Sequence, residues 1–356
     1  MDKVVQFWRG RRVLVTGHTG FKGGWLVLWL KHLGAHVAGI GLKPNTLPNL
    51  FNLAKVQEHC DSYLCDIRDL HEVQTIIKRV QPEVIFHLAA QPLVRYGYEQ
   101  PIETFAANIM GVAHVLDSVR GIESVKSVVM VSTDKVYRNN EWSWPYREED
   151  PLGGHDPYSA SKAASELVIA SYRDAFLSEI GVAVASARAG NVIGGGDWSA
   201  DRLIPDLVRA WHSGASLEIR RPDAIRPWQH VLEPLAGYLR LAEKLWFHPE
   251  LATAYNFGPQ THEAVTVREI VELARKANGG GDVRFSDFGE GPHETGLLTL
   301  ETARSRFELG HLSKWSLSET LTRTLTWYRE QNAGVDAAEL CLADIEDYNS
   351  NAMMSK

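Results

Sequence analysis

The chain has 356 residues and a net charge of −7, with 37 Lys and Arg against 44 Asp and Glu and no basic block. That balance excludes a nucleic-acid surface, which rests on many cationic contacts to phosphate. No apolar run reaches the roughly 20 residues of a membrane span, and residues 1–12 lack the apolar core of a signal peptide, so a cytoplasmic protein is expected. Cys60, Cys65 and Cys341 are odd in number and show no ligand spacing, which reads as structural thiols in a reducing compartment and no metal site.

Arg12-Val13-Leu14-Val15 is a β-branched run ending at Thr16, and Trp25, Leu26, Leu28, Trp29, Leu30 and Leu33 follow as a buried helix. Between them lie Gly17, Gly20 and Gly23. A glycine turn joining strand to helix lets the backbone approach a diphosphate at the unpaired N–H groups of the helix start. Residues 36–40 read as the second strand, after which a dinucleotide fold usually places an acid on the ribose hydroxyls. Here Lys43 follows instead, and a lysine tolerates a ribose phosphate, so NADP stays open beside NAD.

Asp66, at a strand end, is in reach of an adenine amino group, and Asp69 is placed to cap the next helix. The continuous apolar run 84–90 predicts a strand buried on both faces. A loop over 91–95 then leads to a long helix holding Asn108, for which a core amide bonded to backbone and a ligand contact are both open. Residues 127–131 form a further strand that delivers Ser132, Thr133, Asp134 and Lys135 to the carboxyl edge of the sheet, where open α/β sheets bind ligands. The loop 139–154 is long enough for a lid or a substrate wall. Beyond it Tyr158 and Lys162 stand one helical turn apart on a shared face. A phenol of pKa about 10 needs help to ionise at neutral pH, and a fixed ammonium supplies part of that help.

Residues 182–187 give another strand, and the strand-helix alternation stops at Arg188-Ala189-Gly190-Asn191. The expected fold class is α/β, a doubly wound parallel (Rossmann-type) sheet with a smaller C-terminal substrate-binding lobe. The dinucleotide-binding domain is expected over 1–188 with 229–258 returning to it, and the second lobe over 189–228 and 259–356. In that lobe Arg202 and Leu203 open a helix, and Arg220 and Arg226 sit in loops, suited to bidentate bonds with a diphosphate. Residues 254–258 read as the last strand of the sheet, and 265–277 and 316–329 as amphipathic helices around the loop 291–294.

Five stretches carry a resemblance: Gly17-His18-Thr19-Gly20-Phe21-Lys22-Gly23, Ala89-Ala90-Gln91-Pro92-Leu93-Val94-Arg95, Thr133-Asp134-Lys135, Gly190-Asn191-Val192-Ile193-Gly194-Gly195-Gly196-Asp197-Trp198 and Ile225-Arg226-Pro227-Trp228-Gln229-His230-Val231-Leu232-Glu233-Pro234. With Tyr158 and Lys162 they resemble the nucleotide-sugar 4,6-dehydratases of the extended short-chain dehydrogenase/reductase family, most of all the branch acting on CDP-D-glucose. The resemblance spans nearly the full chain. It implies a hydro-lyase of deoxysugar synthesis for surface polysaccharide (O-antigen, lipopolysaccharide), with tightly bound NAD. It implies cofactor contacts from Gly17, Thr19, Gly20, Phe21, Lys22, Gly23, Asp66, Ile67, Leu88, Ala89, Ala90, Gln91, Asn108, Tyr158 and Lys162. Nucleotide-sugar contacts are implied for Asn191, Arg202, Leu203, Arg220, Arg226, Asn256 and His293, and a homodimer for the Asn108 and Tyr158 helices, packed as a bundle.

The implied roles are Tyr158 as base for the C4 hydroxyl, Thr133 as its positioner, Lys162 as holder of the phenolate and ribose, and Asp134 as acid for the departing C6 hydroxyl. Relatives acting on dTDP-glucose and GDP-mannose place a Glu at the position of Lys135, as the base for C5. Lys135 is therefore either a base of depressed pKa or a cation orienting Asp134, and the adjacent carboxylate favours the cation. A nucleotide-sugar 4-epimerase or an NADP-linked reductase is the second expectation, though an epimerase has no use for the Asp134 acid. A nucleotide-binding sensor or structural protein without turnover is the third.

Overall fold

The computed structural model describes residues 6–286 and 296–350. Seven strands make one parallel sheet: β1 (Arg12–Thr16), β2 (His36–Gly41), β3 (Asp61–Leu64), β4 (Val84–His87), β5 (Ser127–Val131), β6 (Ala183–Ala189) and β7 (Ala254–Phe257), in the order β7-β6-β5-β4-β1-β2-β3. The chain runs outward from β1 to β3 and then back across to β4, so the order reverses between β1 and β4 and opens a crevice at their carboxyl ends. Thr16 and His87 are partners in that register, and their side chains bond at 2.8 Å. This pins the start of the glycine turn beside residues 88–90.

Alternate strand residues feed two cores, as the two-residue period requires. Val13, Val15, Val84, Phe86 and Val129 face one core. The helices α1 (Phe21–His32), α5 (Leu203–His212), α6 (Leu232–Phe247), α7 (Val267–Asn278), α8 (Leu317–Asn332) and α9 (Ala337–Ser350) contribute to it through residues such as Trp25, Leu207, Leu235, Ile270, Leu321 and Ile345. Leu14, Ile85, Val128 and Met130 face the other core, closed by α2 (Leu70–Val80), α3 (Gly111–Val119) and α4 (Pro157–Tyr172) through Ile76, Val115 and Ile169. The result is an α/β doubly wound sheet with helices on both faces.

Three two-stranded pairs complete the chain: Val192–Ile193 with Gln229–His230, Ile225–Arg226 with Val265–Thr266, and Leu217–Arg220 with Val283–Ser286. Residues 265–277 thus differ from their sequence expectation: Val265–Thr266 is extended, and α7 starts at Val267 under a capping box of Thr266 and Glu269. The helix through Asn108 is broken into Pro101–Phe105, a π-helical turn Ala106–Met110 and α3. Gly195 is a close approach, because a Cβ there would stand 2.1 Å from the Trp327 ring. Part of the loop over 139–154 is anchored: Tyr146 stacks on Tyr137 and its N–H donates to Thr299 O at 2.9 Å. Among the described residues no helix is long and apolar enough to cross a membrane, and no His, Cys, Asp and Glu cluster forms a metal site.

Candidate active site

The glycine turn wraps tightly onto the start of α1. Gly17 has φ +77°, and a Cβ on it would meet Ala89 N at 2.8 Å, while one on Gly23 would meet Gly17 O at 2.0 Å. Gly20 caps α1 without a side-chain bond and its first turn holds no acid, which leaves the helix start open to an anion. This cradle fits a dinucleotide diphosphate. Beside it, Arg68 grips Asp66 through Nε at 3.0 Å and Nη2 at 2.7 Å, holding that carboxyl below its usual range. Asp69 caps α2 by accepting from Glu72 N at 3.0 Å, and Lys43 is exposed beyond β2. Ile67 packs where a Cβ on Gly111 would fall, 2.4 Å from its Cδ1.

Asn108 is buried and spends its amide internally: Oδ1 accepts from Gln91 N at 2.8 Å, and Nδ2 donates to Gln91 O at 3.1 Å and Ser161 Oγ at 2.8 Å. It staples the loop after β4 to the Tyr158 helix. That helix starts sharply, with Pro157 at its first position and the Asp156 carboxylate accepting from Ser159 N. Tyr158 is thereby fixed in the first turn. Thr133 lies two residues past β5 and caps the turn Asp134–Val136, so the strand end and the helix present Thr133, Asp134, Tyr158 and Lys162 to the same crevice.

Thr133 Oγ1 donates to Asp134 Oδ1 at 2.9 Å, while the buried Oδ2 of Asp134 has no hydrogen-bond partner. Burial lifts the Asp134 carboxyl above its ordinary range against the pull of Lys135, Thr133 and Arg226. Burial also pushes Tyr158 up to about 12, with a bond from Thr133 acting the other way. The spacing to Lys162 suggests a phenol drawn toward phenolate; in the fold, loss of water dominates. Lys162 itself is pushed down to about 8 by burial, with Glu166 opposing, and its Nζ donates to Val131 O at 3.2 Å. Lys135 Nζ lies 5.9 Å above the Tyr158 ring.

Lys22 belongs to this cluster as well, a role beyond the backbone part its motif suggests. Its Nζ donates to Tyr238 OH at 3.1 Å, and burial with the nearby Arg202 and Lys162 pushes it down to about 7. On the far wall a Cβ on Gly190 would stand 2.7 Å from Pro227 and 3.4 Å from Asp134 Oδ2. The loops bearing Asn191 and Arg226 therefore meet over the Asp134 carboxylate. Arg202 lies 3.8 Å from Asp197 at the start of α5, next to Leu203. Lys22, Lys135, Lys162, Arg202 and Arg226 gather basic groups at this crevice in a chain of net charge −7, which suits a diphosphate.

Two further residues expected at the substrate are Asn256 and Arg220. Asn256 is buried with its amide engaged by the protein: Oδ1 accepts from Tyr137 OH at 2.7 Å, and Nδ2 donates to Tyr146 O and Glu301 O, each at 3.0 Å. These long-range partners fix the Asn256 amide within the fold. Arg220 is exposed at the end of Leu217–Arg220. His293 lies outside the described residues.

The family model for GDP-mannose 4,6 dehydratase matches residues 14–324. The chain belongs to that family. It is 45% identical to the CDP-glucose 4,6-dehydratase of Salmonella typhimurium over 97% of this chain and 98% of that one. It is also similar to the solved structure of the dTDP-glucose 4,6-dehydratase DesIV from Streptomyces venezuelae with NAD, at 26% identity and a TM-score of 0.77 over 90% of this chain and 98% of that one. A UDP-glucose-4-epimerase from Stenotrophomonas maltophila superposes with a TM-score of 0.80 over 91% of this chain and all of that one, but at 18% identity it shares the fold alone.

Proposed function

We propose that the protein is a CDP-glucose 4,6-dehydratase that works with NAD and makes a 4-keto-6-deoxy sugar nucleotide. The observation that carries this is Asp134: a buried carboxyl kept toward its protonated form, one oxygen unpartnered, under the two loops that would cover a sugar. The 45% identity to the Salmonella enzyme supports the nucleotide. In this reading residues 1–188 with 229–258 hold the cofactor, and 189–228 with 259–356 hold the nucleotide sugar.

NAD would be held by the cradle of Gly17, Gly20 and Gly23 and would supply the hydride acceptor and donor for the sugar carbons. Tyr158 takes the C4 hydroxyl proton, with Thr133 holding that oxygen and Lys162 stabilising the phenolate. The C4 ketone acidifies C5–H, whose proton passes to a water, and Asp134 gives its own proton to the C6 hydroxyl, which leaves as water. Lys135 orients Asp134 as a cation. A second copy of the chain is the expected partner, since Ile102, Met110, Leu167 and Phe176 are exposed along the helical segments bearing Asn108 and Tyr158; light scattering at micromolar concentration giving a monomer mass would refute it. Synthesis of sugar nucleotides places the enzyme in the cytoplasm.

Incubation with CDP-, dTDP-, UDP- and GDP-hexoses, followed by the alkaline absorbance of a 4-keto product, tests the substrate. With C4-deuterated CDP-glucose the label is expected at C6, and a C4-inverted sugar nucleotide that keeps the label at C4, with no ketone, establishes an epimerase instead. Tyr158→Phe is expected to keep fold and NAD binding while losing at least ~100-fold in rate, the usual size of a positioned proton transfer.

A further inference from the structure

One turn beyond Lys162 on α4, Glu166 is buried and pairs with Arg188 of β6 at 2.9 Å, their side chains only 4% and 5% exposed. Ser186 Oγ donates to the same carboxylate oxygen at 2.7 Å. Arg188 Nη1 donates to Tyr137 OH at 2.9 Å and to Glu148 O at 3.0 Å, so the pair cannot swing. Stability alone accounts poorly for such a pair, because apolar side chains of similar volume do as well in a protein interior. Moreover, the second carboxylate oxygen, Oε1, is buried without a hydrogen-bond partner. Glu166 and Lys162 share one helix face at the i, i+4 spacing.

The groups around Lys162 come from several elements. Tyr158 and Glu166 lie on α4, Val131 O on β5, His87 on β4 and Lys22 on α1. His87 bonds Thr16 and is pushed by burial down to about 3, hence neutral. A charged Lys22 opposes the Lys162 charge, and Arg188 stands behind Glu166. Glu166 is thus the carboxylate that holds up the Lys162 pKa against burial.

We infer that Glu166 is a positioning residue for the reaction: fixed by Arg188 and Ser186, its carboxylate keeps Lys162 an ammonium and so sets the upper pH limit of turnover. The inference rests on Lys162 being the partner of the Tyr158 phenolate. Its sign is definite. With the carboxylate gone, Lys162 loses its proton at lower pH, so the alkaline arm of kcat moves down, whereas a merely structural pair leaves the arm in place.

The test is the kcat–pH profile of the NAD-loaded enzyme for Glu166→Gln, for Glu166→Gln with Arg188→Met, which leaves no lone buried charge if the single variant misfolds, and for Glu166→Asp. Glu166→Gln is expected to shift the alkaline arm down by about one pH unit or more, the double variant in the same direction by less because the more distant Arg188 cation goes too, and Glu166→Asp is expected to restore it. A folded double variant with the wild-type arm overturns the inference. Lys162→Met with normal turnover would overturn the underlying role of Lys162 instead, and the two failures are separate.

Discussion

Asp134 and Glu233 are both carboxylates hidden from water, at 2% and 0% exposure, and the fold treats them differently. Glu233, on the first turn of α6, accepts from Lys314 N at 3.0 Å, Trp315 N at 2.8 Å and Tyr348 OH at 2.6 Å, tying three segments together. Asp134 accepts one side-chain bond, from its neighbour Thr133, and leaves an oxygen bare. Burial raises both carboxyls. At Glu233 the donors answer that penalty and the group serves the structure; at Asp134 the penalty is left standing where two loops and a helix start converge. Unanswered polar burial marks chemistry, and answered polar burial marks architecture.

The largest expected effect breaks Asp134. Asp134→Asn keeps the shape and the Thr133 bond but has no acidic proton, so dehydration should fall by ~10²–10⁴, the range for a lost general acid. Its stability should move the other way. A carboxyl whose folded pKa is raised contributes stability that is full below its unfolded pKa of about 3.9 and is lost as pH rises through the folded value. The variant has no such loss. Its Tm, by calorimetry, should therefore gain on wild type as pH rises from about 4 to 7, and parallel curves would remove the charge penalty at Asp134.

Glu233→Gln is the mirror experiment. It sets an amide N–H₂ against groups that themselves donate, so it should cost ~3 kcal/mol in denaturant unfolding, the scale of losing charged hydrogen bonds. Turnover per folded molecule and the pH profile should stay at wild type. A 10-fold fall in kcat for the folded protein would contradict the division between the two carboxylates.

The sheet was legible because its strands announce themselves. The buried run Val84–His87 and the strand before Gly17 need no distant partner to be recognised. Val265–Thr266 reads as helix in the sequence because its two residues are extended only by pairing with Ile225–Arg226. Tyr158 and Lys162 could be found by spacing, whereas the sign of the burial effect on the phenol depends on atoms from several elements. Lys22 and Asn256 show the same limit: one is fixed by Tyr238 and the other by Tyr137, Tyr146 and Glu301, contacts invisible to any local pattern. Glu166 was within reach of sequence reasoning, at the same spacing beyond Lys162 that Lys162 has beyond Tyr158.

The smallest expected effect concerns Arg226, whose charge acts on Asp134 and which is proposed to meet the diphosphate. Its Nη1 donates to Ile225 O at 2.9 Å, and the residue is only half-buried. Its charge also helps to hold down the raised carboxyl of Asp134. Arg226→Ala should weaken CDP binding by ~1.5–3 kcal/mol, the value of a charge-assisted contact to diphosphate, measured by titration calorimetry with CDP so that turnover does not interfere. Removing the cation should also raise the Asp134 carboxyl further, which keeps the acid protonated to higher pH. The corresponding limb of the kcat profile should then move upward, even at saturating substrate. Glu233→Gln should move neither quantity. If Arg226→Ala changes binding but leaves the limb in place, Arg226 grips the nucleotide alone, and the pKa of Asp134 is set by burial, Lys135 and Thr133.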